Sequence, residues 1–170
     1  SFLYWGFGFL RMSTTGLTAQ AQGRGDHHEV HAQLVRGTLV GLGLGTVVLL
    51  AFPVAEAVLL GSFQASSAVE QEATGYMRAR IWGAPAALAG FAIQGWLLGV
   101  GRTRALLAVQ LVLNLGNAIL DTLFAGVLDW GATGIGAGTA VAEVAAFLVG
   151  AALVRRSLGW PPGLWDREKL

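Results

Sequence analysis

The side chain best placed to do chemistry is Asp121, a carboxylate inside a long apolar segment. Three amides precede it at spacings of four, three and four residues, which puts all of them on one helical face: Gln110, Asn114 and Asn117. These side chains cannot all face lipid, because an unsatisfied polar group in hydrocarbon is costly. The stripe therefore predicts either an ion site or a polar contact that holds helices together.

A second polar face follows the turn around Asp129–Gly131, where Thr139 and Glu143 lie four residues apart. Asp121 and Thr139 are each about eight residues from that turn, so we expect them at similar depth in antiparallel helices. Oxygen ligands of this kind suit hard cations. Asp121, Asn117 and Thr139 are thus the candidates for binding a proton or sodium ion. Glu143, one turn deeper, is either a relay residue or a carboxylate bonded within the bundle.

Other polar clusters indicate surface structure. His27, His28 and His31 are one residue short of the H-E-x-x-H zinc motif, and we interpret them as part of a solvated cytoplasmic loop. Arg78 and Arg80 beside Glu70 and Glu72 resemble a salt-bridged helix start at the membrane interface. No nucleophile is paired with a base, and the chain has no cysteine for a thiol nucleophile or a zinc site. We therefore predict neither an enzyme nor a bound cofactor or metal.

Composition identifies the elements that must position these side chains. Hydrophobic residues make up 54% of the 170 residues and charged residues only 12%, whereas soluble domains average about 25% charged. Too little polar surface remains to cover a globule in water. The formal net charge of +1 also disfavours a nucleic-acid partner. We predict an all-α, polytopic transmembrane helix bundle whose surroundings are the lipid bilayer.

Long apolar stretches predict about five spans in a single membrane domain over residues 1–170. Because Ser1 opens directly into apolar sequence, we expect residues upstream of it to be missing. Pro85, inside the third span, is a candidate hinge. The predicted spans cover about residues 1–21, 37–60, 76–101, 105–128 and 131–154, and a tail covers residues 155–170.

The distribution of Lys and Arg predicts the orientation. Eight of these residues fall in the connections at 23–36 and 101–104 and in the tail, whereas the other side holds only Arg78 and Arg80. This difference places the tail and the His27–His31 segment in the cytoplasm. Glycines at alternate positions over 41–45 and 134–138 do not fit a phosphate-binding loop, and they predict close helix packing.

Three segments, Gly8–Ala21, Arg78–Pro85 and Asn114–Asp121, resemble the multidrug and toxic compound extrusion (MATE) transporters, most closely their DinF-like branch. The resemblance implies twelve spans in two six-helix lobes, and this sequence looks like spans two to six of the N-terminal lobe. The first span and the second lobe of the same protein would then be its missing partners.

The resemblance also implies a function, namely secondary active export of organic cations, drugs or other amphipathic compounds across the plasma (inner) membrane, in antiport with protons or sodium. Asn117 and Asp121 match the Asn-x-x-x-Asp of the family's fifth span, and Thr139 matches the threonine of its sixth. The weaker candidates for a substrate pathway or relay are Tyr76, Gln94, Gln110, Asn114 and Glu143. The alternatives are a structural membrane domain or a flippase-like exporter of a lipid-linked substrate.

Overall fold

The structure, a computed structural model, describes residues 6–62 and 66–158, and every regular element within these ranges is helical. The first five residues of the first predicted span and residues 159–170 of the tail lie outside the described residues. The described helices are α1 (Phe9–Gly23), α2 (His27–Ser62), α3 (Ser67–Arg80), α4 (Ala84–Gly99), α5 (Thr103–Asp121) and α6 (Gly131–Ser157).

Four helical segments of the described chain are long and apolar enough to cross a membrane: His27–Val58, Ser67–Gly99, Thr103–Val127 and Gly131–Ser157. The described part of the first predicted span is the 15-residue helix α1, and its crossing stays a prediction. Many large apolar side chains are exposed, among them Leu50, Leu115 and Leu148. Such a surface suits lipid, and the predicted all-α membrane bundle is confirmed.

The central helix is α4, in which 11 of 16 residues are buried. It packs along α2, where Gly41 and Gly45 leave no room for a side chain against Ala89 and Pro85. It runs parallel to α1, because Gly95 meets the carbonyl of Arg11 and Gly99 meets that of Thr15, one turn further along both helices. Small residues allow these backbones to approach closely, as the alternating glycines predict. Helix α6 packs on the other side, with Gly150 against Ile93.

The predicted third span is divided into two helices. Helix α3 ends at Arg80, a 3₁₀ turn covers Ile81–Gly83, and α4 begins at Ala84. Pro85 lies in the first turn of α4, where a missing backbone N–H leaves no helical hydrogen bond unmade. It is packed against Gly45 of α2. The break between α3 and α4 is therefore the 3₁₀ turn. The hinge role of Pro85 stays a prediction.

Helix α2 begins at His27 rather than at residue 37, so the predicted loop around the three histidines is wrong. Asp26 Oδ1 accepts a hydrogen bond from the backbone N–H of Glu29 at 2.9 Å, which stabilises the start of the helix. Glu29 also pairs with Arg36 at 2.9 Å. The cap and the ion pair stabilise the polar N-terminal turns that precede the apolar part of the helix. His27 and His28 remain exposed on the first turn.

The connections after α1 and α4 lie at the same end of the bundle as the C-terminal end of α6, and we call this end the basic end. Arg102 Nη2 donates to the carbonyl of Ser157 at 3.1 Å and joins two of these segments. Trp96 near the end of α4 donates to Val30 at the start of α2. The described arginines at or near this end are Arg24, Arg36, Arg102, Arg104, Arg155 and Arg156.

Candidate functional site

Helices α5 and α6 form an antiparallel pair whose glycines bring the polar side chains together. Along the interface Gly116 faces Ala142, Asp121 faces Gly138, and Phe124 faces Gly134. The turn between the helices is tight, with Asp129 and Gly131 at φ values of 55° and 56°, a conformation that glycine adopts without strain. The geometry places Asp121 at the level of Gly138, next to Thr139.

Asp121 and Asn117 lie one turn apart on α5, and the Oδ1 atom of each is buried. Neither atom has a hydrogen-bond partner among the described residues. The hydroxyl of Thr139 donates to the carbonyl of Ile135 in its own helix, at 2.9 Å. The structure therefore places Asp121 and Thr139 at nearly the same level and Asn117 one helical turn deeper, with two oxygens unsatisfied and the third group bonded to backbone.

A π-helical turn over Thr122–Val127 directly follows Asp121. Such turns interrupt α-helices mostly as single turns and are frequent at functional sites. The turn closes with hydrogen bonds from Leu128 to Leu123 and from Trp130 to Phe124. Asp121 is thus the last residue of regular α-helix in this span, a feature that hydropathy does not reveal.

Arg80 also belongs to this region, although its position in the sequence predicted a helix start at the membrane interface. Its Nη2 atom lies 3.2 Å from Glu143 Oε1, and the two side chains are only 16% and 10% exposed. Arg80 also interacts electrostatically with Asp121. The predicted pairing of Arg78 and Arg80 with Glu70 and Glu72 is wrong, because both arginines pair with other carboxylates.

The pairing follows from where α3 packs. Because α3 lies against α6, the Arg80 side chain at the end of α3 is only 16% exposed and faces Glu143. Arg78 pairs instead with the buried Glu56 of α2, at 2.8 Å. Glu72 accepts a hydrogen bond from the backbone N–H of Ala132 at 3.0 Å, and so caps the start of α6. The signal for Arg80 was available, because two carboxylates inside spans need a nearby positive charge.

The weaker candidates are dispersed. Gln110 donates to Gln94 Oε1 at 2.9 Å and joins α5 to α4. Asn114 is exposed on the outer side of α5, so the predicted polar stripe does not share one environment. Tyr76 lies on α3 with its backbone carbonyl against Gly136, and its side chain lines a shallow surface groove with Ala132.

A cavity of about 130 Å³ lies between α4, α5 and α6. Arg80, Gln94 and Glu143 form its polar wall, and apolar side chains including Phe91 and Leu113 form the rest. The volume suits a few water molecules and is well below the roughly 300–1,000 Å³ of a drug-sized pocket. The other oxygen of Glu143, Oε2, is buried without a hydrogen-bond partner among the described residues and lies against Gly83 in the 3₁₀ turn.

Known proteins resemble this chain in sequence and in fold. The MatE family model matches residues 1–123. The DNA damage-inducible protein F of Escherichia coli (strain K12) is 38% identical over 159 residues, which are 93% of this chain and 34% of that protein. The chain thus spans about a third of the length of that relative.

A solved structure described as an inward-facing conformation of a multidrug resistance MATE family transporter of the MOP superfamily has a TM-score of 0.79. The match covers 86% of this chain and 33% of that chain, and the two are 22% identical, a likeness that shows the fold. The family model and the relative confirm the resemblance inferred from the sequence. The chain belongs to the MatE family, whose members are multi-pass membrane transporters and not enzymes.

Proposed function

We propose that this chain forms part of a secondary active exporter in which Asp121 binds the coupling cation, a proton or a sodium ion. The observation that carries the proposal is the pair of buried, unsatisfied oxygens on Asp121 and Asn117 at the α5–α6 interface. An unsatisfied polar atom inside a membrane bundle is costly. A proton on the carboxylate, or a sodium ion held by carboxylate and amide oxygens, removes that cost.

The position of Asp121 supports a link between cation binding and helix movement. Its carboxylate packs against the backbone of α6 at Gly138, and the π-helical turn begins at the next residue. A change in the charge of Asp121 therefore acts directly on the contact between two spans. Rearrangement of α5 and α6, with the 3₁₀ turn and Pro85 between α3 and α4 as a hinge, would open the lobe to one side of the membrane. Alternating access by rocking of two lobes is the general scheme for such transporters.

We propose organic cations, drugs or other amphipathic compounds as substrates. The description of the solved structure as a multidrug resistance transporter supports the drugs among them. The plasma (inner) membrane is the proposed location. The second lobe and a further span of the full-length protein would complete the substrate path, because the cavity of about 130 Å³ beside Glu143 is too small for compounds of this size.

The test is the Asp121→Asn variant of the full-length protein, reconstituted in vesicles with an imposed proton or sodium gradient. Asparagine keeps the shape and hydrogen-bonding capacity of the side chain but removes its charge. We expect normal insertion, loss of cation-driven efflux of a panel of organic cations, and a smaller loss for Asn117→Ala and Thr139→Ala.

The control is Leu115→Ala, which shortens an exposed apolar side chain of the same helix and should leave efflux unchanged. If Asp121→Asn transports as well as the parent protein in both gradients, Asp121 serves only to hold helices together. In that case the polar stripe is a contact between helices, and the coupling cation binds elsewhere in the full-length protein.

A further inference from the structure

Glu143 is a second buried carboxylate near the proposed cation site, and the proposed function gives it no role. Glu143 is only 10% exposed, and its Oε1 atom is held by Arg80 at 3.2 Å. Its other oxygen, Oε2, is buried without a hydrogen-bond partner in the described part of the chain and lies against Gly83. A single arginine therefore holds a carboxylate that is itself only half satisfied.

Arg80 and Asp121 approach α6 from different helices at nearly the same level. The backbone nitrogen of Arg80 packs at Gly136, the carboxylate of Asp121 packs at Gly138, and Glu143 follows on the same helix. Arg80 interacts electrostatically with both carboxylates. We call Arg80, Asp121 and Glu143 the charged cluster.

The charged cluster contains one fixed positive and two acidic side chains, so its fully ionised form carries one negative charge in excess. Excess charge inside a membrane protein is strongly unfavourable. One monovalent cation at Asp121 makes the cluster neutral, whereas two would leave it positive. Among the described residues, the ion pair between Arg80 and Glu143 thus leaves Asp121 as the carboxylate whose charge is not balanced within the cluster.

We propose that Arg80 and Glu143 are positioning residues that tune the affinity of Asp121 for the coupling cation. Arg80 weakens cation binding by its positive charge, so that the ion can be released, and Glu143 keeps Arg80 from neutralising Asp121 permanently. This inference rests on the proposed function and assigns roles to two residues outside the proposed ligand set.

The two single variants have effects of opposite sign. Arg80→Gln leaves two negative charges in excess and should lower the half-saturating cation concentration by at least about tenfold, since unit charges within about 12 Å of each other interact by that much at an effective dielectric constant of about 20. Glu143→Gln frees Arg80 for Asp121 and should raise that concentration by about tenfold. The double variant restores an excess of one negative charge and should return close to the parent value.

The measurement is a titration of tryptophan fluorescence in the purified full-length protein in detergent, with sodium chloride at fixed pH and with acid in the absence of sodium. The chain provides matched controls in the second ion pair of α3, Arg78 with Glu56, at 2.8 Å. Arg78→Gln removes a positive charge two residues before Arg80, and Glu56→Gln removes its partner in α2. Both should leave half-saturation within about twofold, because Arg78 is mostly exposed and this pair joins α3 to α2 rather than to α6.

A purely structural ion pair would lower thermal stability in both single variants without moving half-saturation in opposite directions. Shifts of the same sign, or no shifts, overturn the inference. If Arg80→Gln does not insert, Arg80→Lys and Glu143→Gln decide the question. The inference then requires near-parent affinity for Arg80→Lys and weaker binding for Glu143→Gln, and any other result contradicts it.

Failure of the proposed function has a separate signature. If the parent protein shows no response to either cation, or if Asp121→Asn responds as the parent does, the cation site itself is wrong and the inference falls with it. If Asp121→Asn abolishes the response while the Arg80 and Glu143 variants do not shift it, only the inference is wrong.

Discussion

Trp96 is the largest fully buried side chain among the described residues, at 1% exposure. Its indole N–H donates to the carbonyl of Val30 at 2.8 Å and ties the end of α4 to the start of α2. Val30, Leu34 and Leu97 belong to the same apolar cluster. One side chain therefore combines a large buried apolar surface with a directional contact between two helices.

We expect Trp96→Phe to destabilise the protein by about 1–2 kcal/mol, because it removes a buried hydrogen bond and leaves a void beside the smaller ring. Thermal unfolding in detergent measures the loss. Trp82→Phe is the control, since Trp82 is 71% exposed and should change stability by less than about 0.5 kcal/mol. Equal midpoints for the two variants would contradict the role assigned to Trp96.

At the level of single residues, spacing alone predicted that Asn117 and Asp121 share a face and that Asp121 and Thr139 lie at one depth. Spacing could not predict the hydrogen-bond partner of the Thr139 hydroxyl or the carboxylate that pairs with Arg80. A threonine in a helix can bond to the backbone one turn earlier, and nothing in the sequence excludes it. Arg80 depends on how α3 packs against α6, which is a tertiary contact.

Helix contacts in this bundle depend on glycine at positions where two backbones meet. Gly136 of α6 lies against the carbonyl of Tyr76 and the Cβ atom of Ala79 in α3, so no side chain fits there. We expect Gly136→Leu to lower folding stability by about 3 kcal/mol or to prevent insertion, since overpacking forces the backbones apart. Expression level and thermal stability in detergent measure the effect.

The matched control is Gly43→Leu in α2, because no described atom from another helix lies within 4 Å of the position that its Cβ would occupy. Leu148→Ala, at an exposed position of α6, is a second control that removes rather than adds a side chain. If Gly136→Leu were as stable as both controls, the contact between α3 and α6 would not depend on the small residue.

At the level of elements, apolar length located the long helices, and alternating glycines predicted their close contacts. The 3₁₀ turn at Ile81–Gly83 and the π-helical turn at Thr122–Val127 were not predictable. Both are changes in backbone hydrogen bonding inside continuous apolar sequence, and hydropathy does not respond to them. The early start of α2 was missed for a related reason, because charged residues after Asp26 read as a loop although they stabilise a helix.

The whole molecule has its described arginines concentrated at the basic end, which the positive-inside rule places in the cytoplasm. We expect a cysteine at His28, exposed on the first turn of α2, to be protected from an impermeant maleimide added outside intact cells. A cysteine at Leu128, exposed at the opposite end between α5 and α6, should be labelled under the same conditions. The chain has no cysteine of its own, so the signal is specific.

Permeabilised cells provide the control, because both positions should then react. Labelling at residue 28 in intact cells, with protection at residue 128, would reverse the orientation. Reaction of both positions from outside would show that no membrane separates the start of α2 from the end of α5.

During biosynthesis, the tight turn at Asp129 and Gly131 makes α5 and α6 a helical hairpin that can enter the bilayer as one unit. Each acidic side chain would meet a costly environment if its helix entered alone, about 2.5–3.5 kcal/mol on insertion scales. Within the hairpin, Asp121 already faces Gly138 of the following helix rather than lipid. Arg80 emerges from the ribosome before the hairpin, so its charge is in place when Glu143 arrives. The order of the chain therefore allows the charged cluster to assemble without exposing a lone carboxylate to hydrocarbon.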